Sequence, residues 1–164
     1  MRSVDKTLSL KLPTQAASVP LARRAVCQFA AQSGADETLI DAVRLATSEA
    51  LTNAVVHAYR GEPGSVYVTA AAPSGELWVL IADDGGGLEP QADRPGLGLG
   101  LALIAQVSDE LAIVPRAGRG TEVRMRFDLL ERKRHDQRQA ATPRTVDAQP
   151  ARARDSVSGC QQYA

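Results

Sequence analysis

The chain has 164 residues, 44% of them hydrophobic, and its 19 Lys and Arg balance its 19 Asp and Glu. This size and composition predict one domain with a real core, and zero net charge disfavours a nucleic acid as a partner for the whole chain. The sequence contains no apolar run typical of a signal peptide or membrane span, and its two cysteines predict neither a disulfide framework nor a zinc site, so we expect a cytoplasmic protein.

The first part of the chain predicts one strand and two helices. Leucines alternate with polar residues in 6–13, which is typical of a half-buried strand. Residues 18–33 have apolar residues at helical spacing and are followed by Gly34, a common stop signal. The stretch 36–59 contains no Gly or Pro and opens with Asp36, a favoured N-cap residue, so it predicts the longest helix.

The second part predicts a hairpin, a helix and a final strand pair. Strand-like runs at 65–72 and 76–83 flank the turn sequence PSG, and a helical pattern covers 100–110. Two further strands, 111–115 and 121–129, flank the turn RAGRG. Tight turns between consecutive strands favour a mixed, mostly antiparallel sheet, which three helices would cover on one face. We therefore predict an α/β two-layer sandwich.

The charge is distributed unevenly between the two ends of the chain. Residues 1–130 contain 12 Lys and Arg against 15 Asp and Glu, whereas residues 131–164 contain seven against four. The second segment has few large apolar side chains and no regular period, which predicts a disordered tail after a folded domain at 6–130. A solvated extension and a basic arm for a nucleic acid or membrane are both compatible with this composition.

Glycines are concentrated in residues 81–104, between a strand-like and a helix-like run. A Walker A loop is excluded because the three lysines, at positions 6, 11 and 133, all lie outside this stretch. The dinucleotide-binding pattern GxGxxG does not occur there either. The remaining readings are a flexible surface loop and a helix N-terminus whose free N–H groups bind an anion.

Two sets of polar residues are candidates for chemistry. Glu49, Asn53 and His57 recur every four residues and so share one helix face, where they form either a solvated stripe or a proton acceptor beside an oxygen ligand for Mg²⁺. Asp83 and Asp84 follow a strand and precede three glycines. This second set forms either a plain turn or a carboxylate that accepts a hydrogen bond from the amine of a base.

These stretches together resemble a known superfamily. "EALTNAVVH" is similar to the N-box of the GHKL ATPases, which include histidine kinases, gyrase and heat-shock chaperones. "DDGGG" matches their DxGxG box when it is counted from Asp83, while "GLGLGLALI" and "GRGTEVRMRF" resemble their later boxes. The order and spacing match over residues 6–129. Within the superfamily, the chain most resembles bacterial anti-sigma-factor serine/threonine kinases, so we expect a Bergerat-type ATP-binding fold.

The resemblance implies a role for particular residues. Asp83 would recognise the adenine amine with help from Thr121, Asn53 would ligate Mg²⁺, and Glu49 would act as the catalytic base. The other implied ATP contacts are Gly85, Gly87, Gly96, Gly98, Gly100 and Leu101.

The resemblance also implies protein partners. The chain would phosphorylate a STAS-domain anti-anti-sigma protein on Ser or Thr and would sequester a sigma factor, with no direct contact to nucleic acid or membrane. Arg23 matches in position an arginine that the family uses toward its partners, although an ordinary exposed helix charge explains it equally well. A homodimer is compatible with the family. The alternative function is an ATP-binding interaction module that transfers no phosphoryl group.

Overall fold

A computed structural model describes residues 7–58, 63–86 and 97–130 of the chain. These residues form five strands and three α-helices. In chain order the elements are β1 (Thr7–Pro13), α1 (Ser18–Gln32), α2 (Glu37–His57), β2 (Ser65–Ala71), β3 (Glu76–Asp83), α3 (Leu97–Val107), β4 (Glu110–Pro115) and β5 (Thr121–Asp128).

The strands form one open sheet in the order β1-β2-β3-β5-β4, and each of the four pairings is antiparallel. Alternate residues of the central strands are buried against the helices, because successive side chains of a strand point to opposite faces. These buried residues include Val66, Val68, Leu77, Val79, Val123, Met125 and Phe127. The predicted α/β architecture is confirmed, and the described part of the sheet is antiparallel throughout.

Helix α2 is the central helix of the covering layer. It packs against α1 on one side and α3 on the other, and it buries Leu39, Val43 and Leu51 in the core. Asp36 caps its N-terminus, since the Asp36 carboxylate accepts a hydrogen bond from the Leu39 N–H at 2.7 Å. The predicted start of this helix is therefore confirmed.

Helix α3 differs from the sequence prediction at both ends. It begins at Leu97 and ends at Val107, whereas the pattern predicted residues 100–110. Glycine disfavours a helix interior, which is why the pattern missed the first turn. At the other end, residues 110–115 form β4, an edge strand that pairs with β5.

Several predictions fall on other parts of the chain. The tail at 131–164 lies outside the described residues, as do Gly87 and Gly96. In the described residues, no helix is both long enough and apolar enough to cross a bilayer.

The cap of α2 generates a stability prediction. Replacing Asp36 with alanine (Asp36→Ala) should lower the free energy of unfolding by about 1 kcal/mol, because the Leu39 N–H loses its acceptor. Asp41→Ala is the matched control, since Asp41 lies on the same helix and forms an exposed ion pair with Arg44. It should change the stability by less than about 0.5 kcal/mol in urea unfolding. Equal effects of the two substitutions would contradict the capping role.

Candidate functional site

Asp83 is a buried carboxylate at the last position of β3, with 7% of its surface exposed. Its Oδ1 accepts a hydrogen bond from the Gly85 N–H at 2.9 Å, and the backbone N–H of Thr121 also donates to the carboxylate. Burial raises the pKa of Asp83 above its ordinary value, while these two N–H groups act in the opposite direction. A carboxylate has about four acceptor positions, so Asp83 retains the capacity for a further donor.

The turn between β4 and β5 packs directly under the backbone of Asp83. Gly120 has a φ of +96°, a conformation that L side chains rarely adopt, and a Cβ added there would lie 1.9 Å from the Asp83 carbonyl oxygen. Thr121 follows at the first position of β5 and is also buried. The fold therefore brings Asp83 and Thr121 together.

The loop after β3 is fastened to the end of α2. The Gly86 N–H donates to the Ala58 carbonyl oxygen at 2.8 Å, and a Cβ at Gly85 would approach the same oxygen to 2.0 Å. Only glycine fits at position 85 because the backbone of the helix end occupies the space. The loop that begins at Asp83 is thus held against the helix that carries Glu49 and Asn53.

Glu49 and Asn53 lie on the face of α2 that meets α3. A Cβ added to Gly100 would lie 2.8 Å from Glu49 Oε2 and within 3.7 Å of both amide atoms of Asn53. Both polar side chains are half-buried. Gly100 therefore leaves room for two oxygen-bearing side chains beside the first turns of α3.

The other predicted residues occupy different surroundings. Gly98 lies in the first turn of α3, and Leu101 packs partly buried against the core. His57 is half-buried at the last position of α2. Arg23 is half-buried on α1 near Cys27, whose thiol pKa is raised by burial while the charge of Arg23 acts to lower it. Arg23 therefore belongs to the α1 surface, whereas Asp83 and Thr121 lie at the ends of β3 and β5.

Arg116 contacts the site and was not predicted from the sequence. Its Nη1 donates to the Asp83 carbonyl oxygen at 3.2 Å and pairs with the Asp84 carboxylate. Arg116 lies in the turn between β4 and β5, more than 30 residues from its partners. No local pattern marks such a contact, because it forms only when two distant turns meet.

The side chains at the site limit the kind of metal ion that could bind there. The described residues contain no group of three or more His, Cys, Asp or Glu side chains that could hold an ion by themselves. Mg²⁺ needs no such group, because it commonly takes one or two protein oxygens and completes its shell with phosphates and water. The Asn53 amide oxygen, beside the space that Gly100 leaves, fits this pattern.

Comparison with known proteins assigns the family. A family model described as a histidine kinase-like ATPase domain matches residues 12–127. The chain belongs to this family. Membership implies ATP binding and places the Asp83 loop, α2 and α3 in an ATPase domain.

Individual relatives agree with the resemblance that the four sequence boxes indicate. An anti-sigma F factor of Clostridium acetobutylicum is 29% identical over 141 residues, which is 78% of this chain and 99% of the relative. One from Caldanaerobacter subterraneus is 28% identical over 132 residues, or 74% of this chain and 92% of the relative. A crystal structure of RsbU and RsbW domains from Mycobacterium tuberculosis shares the fold, with a TM-score of 0.58 and 23% identity over 76% of this chain and 32% of that one.

The close approach at Gly120 can be tested against a matched glycine. Gly118 has the same φ of +96° in the same turn, but among the described residues a Cβ there would meet nothing within 4 Å. Gly118→Ala should cost about 1–2 kcal/mol of unfolding free energy from the strained backbone alone. Gly120→Ala should lower the free energy of unfolding by about 1–3 kcal/mol more than Gly118→Ala does, because its methyl group collides with the Asp83 carbonyl. Urea unfolding that gave both variants the same stability would contradict this packing.

Proposed function

We propose that the chain is an ATP-dependent serine/threonine protein kinase and anti-sigma factor. The observation that carries the proposal is the arrangement of one fixed loop and one helix face. The loop presents the buried Asp83 carboxylate, and the helix presents Glu49 and Asn53 to the space beside Gly100. One rigid frame thus combines a carboxylate that can accept a hydrogen bond from a base with a carboxylate and an amide that face the proposed phosphate site.

In this proposal Asp83 recognises adenine. The exocyclic amine of adenine donates a hydrogen bond to the carboxylate, which has unused acceptor capacity. Thr121 is buried beside Asp83 and its hydroxyl assists in binding the base. A guanine base carries an acceptor in place of this amine, so a buried carboxylate selects against it.

The phosphates bind where α3 begins. The first turn of a helix offers unpaired N–H groups and the positive end of the helix dipole, both of which favour an anion. Gly98 and Gly100 lie in these turns, and we expect Gly85, Gly87, Gly96 and Leu101 to complete the contacts to the nucleotide. Asn53 would hold Mg²⁺, which neutralises phosphate charge when it is bound.

Glu49 is the catalytic base in this proposal. Its carboxylate accepts the proton of a Ser or Thr hydroxyl on the protein substrate, and the hydroxyl oxygen bonds to the γ-phosphorus as the bond to the ADP oxygen breaks. Glu49 lies one turn before Asn53 on α2, so the base is held near the phosphates by the helix itself. Catalysis then depends mainly on positioning.

The protein partners are inferred from the relatives. Those of Clostridium acetobutylicum and Caldanaerobacter subterraneus are named anti-sigma F factors. We propose that this chain sequesters a sigma factor in the cytoplasm and phosphorylates a STAS-domain anti-anti-sigma protein. Arg23 on α1 would contribute to the partner surface, and a homodimer would be the working assembly.

Glu49→Gln should separate phosphoryl transfer from nucleotide binding. Glutamine keeps the size of the side chain but does not accept the proton, so transfer of label from γ-³²P-ATP to a panel of STAS-domain proteins should fall about 10²–10⁴-fold. ATP affinity in calorimetry should change little. Asn53→Ala should instead weaken Mg²⁺-dependent ATP binding together with the rate, because an oxygen ligand is lost.

Glu37→Gln provides the control, since Glu37 lies in the first turn of the same helix, far from Gly100. It should label the substrate at the wild-type rate. If Glu49→Gln also labelled at the wild-type rate, Glu49 would not be the base. A wild-type chain that bound ATP but labelled no STAS-domain protein would favour the interaction module without phosphoryl transfer.

A further inference from the structure

Arg116 joins the Asp83 loop to the face of the sheet that the helices leave open. Its Nη1 donates to the Asp83 carbonyl oxygen at 3.2 Å, and the same guanidinium pairs with the carboxylate of Asp84. The Asp83 carbonyl therefore meets Arg116 as well as the backbone of Gly120, which lies so close that a Cβ there would be 1.9 Å away. The backbone that carries the Asp83 side chain is fixed by two contacts from the same turn.

Tyr67 holds the side chain of Arg116 in place. The guanidinium carbon lies 5.2 Å from the centroid of the Tyr67 ring, and the Lys11 ammonium lies 5.4 Å from the same centroid. Tyr67 is opposite Ala82 in the pairing of β2 with β3, so the ring is adjacent to the residue before Asp83. An aromatic ring attracts a guanidinium that lies within about 6 Å of its centroid, so Tyr67 restricts where the Arg116 side chain can lie.

The ion pair between Arg116 and Asp84 contributes little by itself. The two side chains are 34% and 48% exposed, and exposed pairs contribute weakly to stability. The combination of ring, carboxylate and carbonyl contacts is more specific, because each contact restricts the rotamers available to the others. Its effect should therefore appear in the placement of Asp83 more than in the stability of the whole fold.

Two charged neighbours act on the Asp83 carboxyl in opposite directions. Asp84 acts to raise the pKa of the Asp83 carboxyl, in the same direction as burial, whereas Arg116 acts to lower it. Arg116 thus offsets the repulsion between two adjacent carboxylates. It does so from outside the pocket, since its contact to Asp83 is with the backbone carbonyl.

We propose that Arg116, held by Tyr67, is a positioning residue that sets the selectivity of the site for adenine by fixing the Asp83 loop from the open face of the sheet. This inference rests on the proposed function, in which the adenine amine donates to Asp83. An adenine amine is bound well only if the carboxylate lies in its plane and within hydrogen-bond distance. A loop that shifts loses that bond while keeping the contacts to the phosphates.

Inosine triphosphate (ITP) is the probe for this effect, because it carries an oxygen where ATP carries the amine. The wild-type full chain should bind ATP more tightly than ITP in calorimetry with Mg²⁺. Arg116→Gln should weaken ATP binding by about 5- to 20-fold, because the hydrogen bond from the adenine amine to Asp83 is weakened and not fully lost, and should change ITP binding less than about 2-fold. The ratio of the two affinities should therefore fall.

Arg124→Gln is the matched control. Arg124 also lies on the open face of the sheet, where, within the described residues, it pairs with Glu122 and not with Asp83. This variant removes the same charge and should keep the wild-type ratio of ATP to ITP affinity. An equal fall of the ratio in Arg124→Gln would overturn the proposal, because net charge would then explain the effect.

Two variants at Tyr67 test the contact between its ring and the Arg116 guanidinium. They also keep the proposal testable if circular dichroism shows that Arg116→Gln does not fold. Tyr67→Phe keeps the ring and should keep the selectivity, whereas Tyr67→Leu should reduce it in the direction of Arg116→Gln. A folded Arg116→Gln with unchanged selectivity, or equal behaviour of the two Tyr67 variants, would overturn the positioning role alone. A wild-type chain that bound no ATP would instead overturn the proposed function.

Discussion

The backbone carbonyl of Asp83 is the point at which three parts of the chain are held together. Gly120 packs against this oxygen at a distance that excludes any side chain, and the carboxylate of the same residue accepts N–H groups from Gly85 and Thr121. Three residues after Asp83, the Gly86 N–H is bonded to the carbonyl oxygen of Ala58 at the end of α2. The strand end, the turn between β4 and β5, and the central helix consequently have fixed positions relative to one another.

In the proposed function, this constraint lets the polar residues of α2 act together with the Asp83 carboxylate at the end of β3. Glu49 and Asn53 lie one turn apart on α2, and the end of the same helix is bonded to the loop that follows Asp83. A rigid connection matters for phosphoryl transfer, because misplacing a reacting group by about 1 Å can cost roughly 10²-fold in rate. Glycine keeps the space beside Glu49 and Asn53 open, since a Cβ added to Gly100 would lie 2.8 Å from Glu49 Oε2.

The sequence predicts those features that depend on local or periodic patterns. The Asp36 cap follows from a short polar side chain before a long helical pattern. The buried face of β5 follows from the apolar residues that recur at every second position from Val123, with arginines between them. The start of α3 was placed too late because Gly98 and Gly100 are poor helix formers, and their place in the helix depends on packing against α2.

Contacts between distant turns could not be predicted in the same way. Arg116 is separated from Asp83 by 33 residues, and nothing in the turn RAGRG shows that its first arginine points toward a carbonyl. The resemblance implies Gly85 as an ATP contact, and the structure adds a separate reason for glycine there, because the backbone of Ala58 occupies the space that a Cβ would need. Pairings of this kind depend on the assembled fold, so a single sequence carries no local signal for them.

The most direct measurement is the Mg·ATP affinity of the full chain after Asp83→Asn, compared by calorimetry with wild type and with Asp109→Asn. Asp109 also accepts a backbone N–H, from Asp128 at 2.7 Å, but it lies at the opposite end of β5. Recognition of adenine by Asp83 predicts a loss of ATP binding of about 10-fold or more in Asp83→Asn alone, since an amide offers a donor where the amine needs an acceptor. Equal ATP affinity in all three proteins would contradict the recognition of adenine by Asp83.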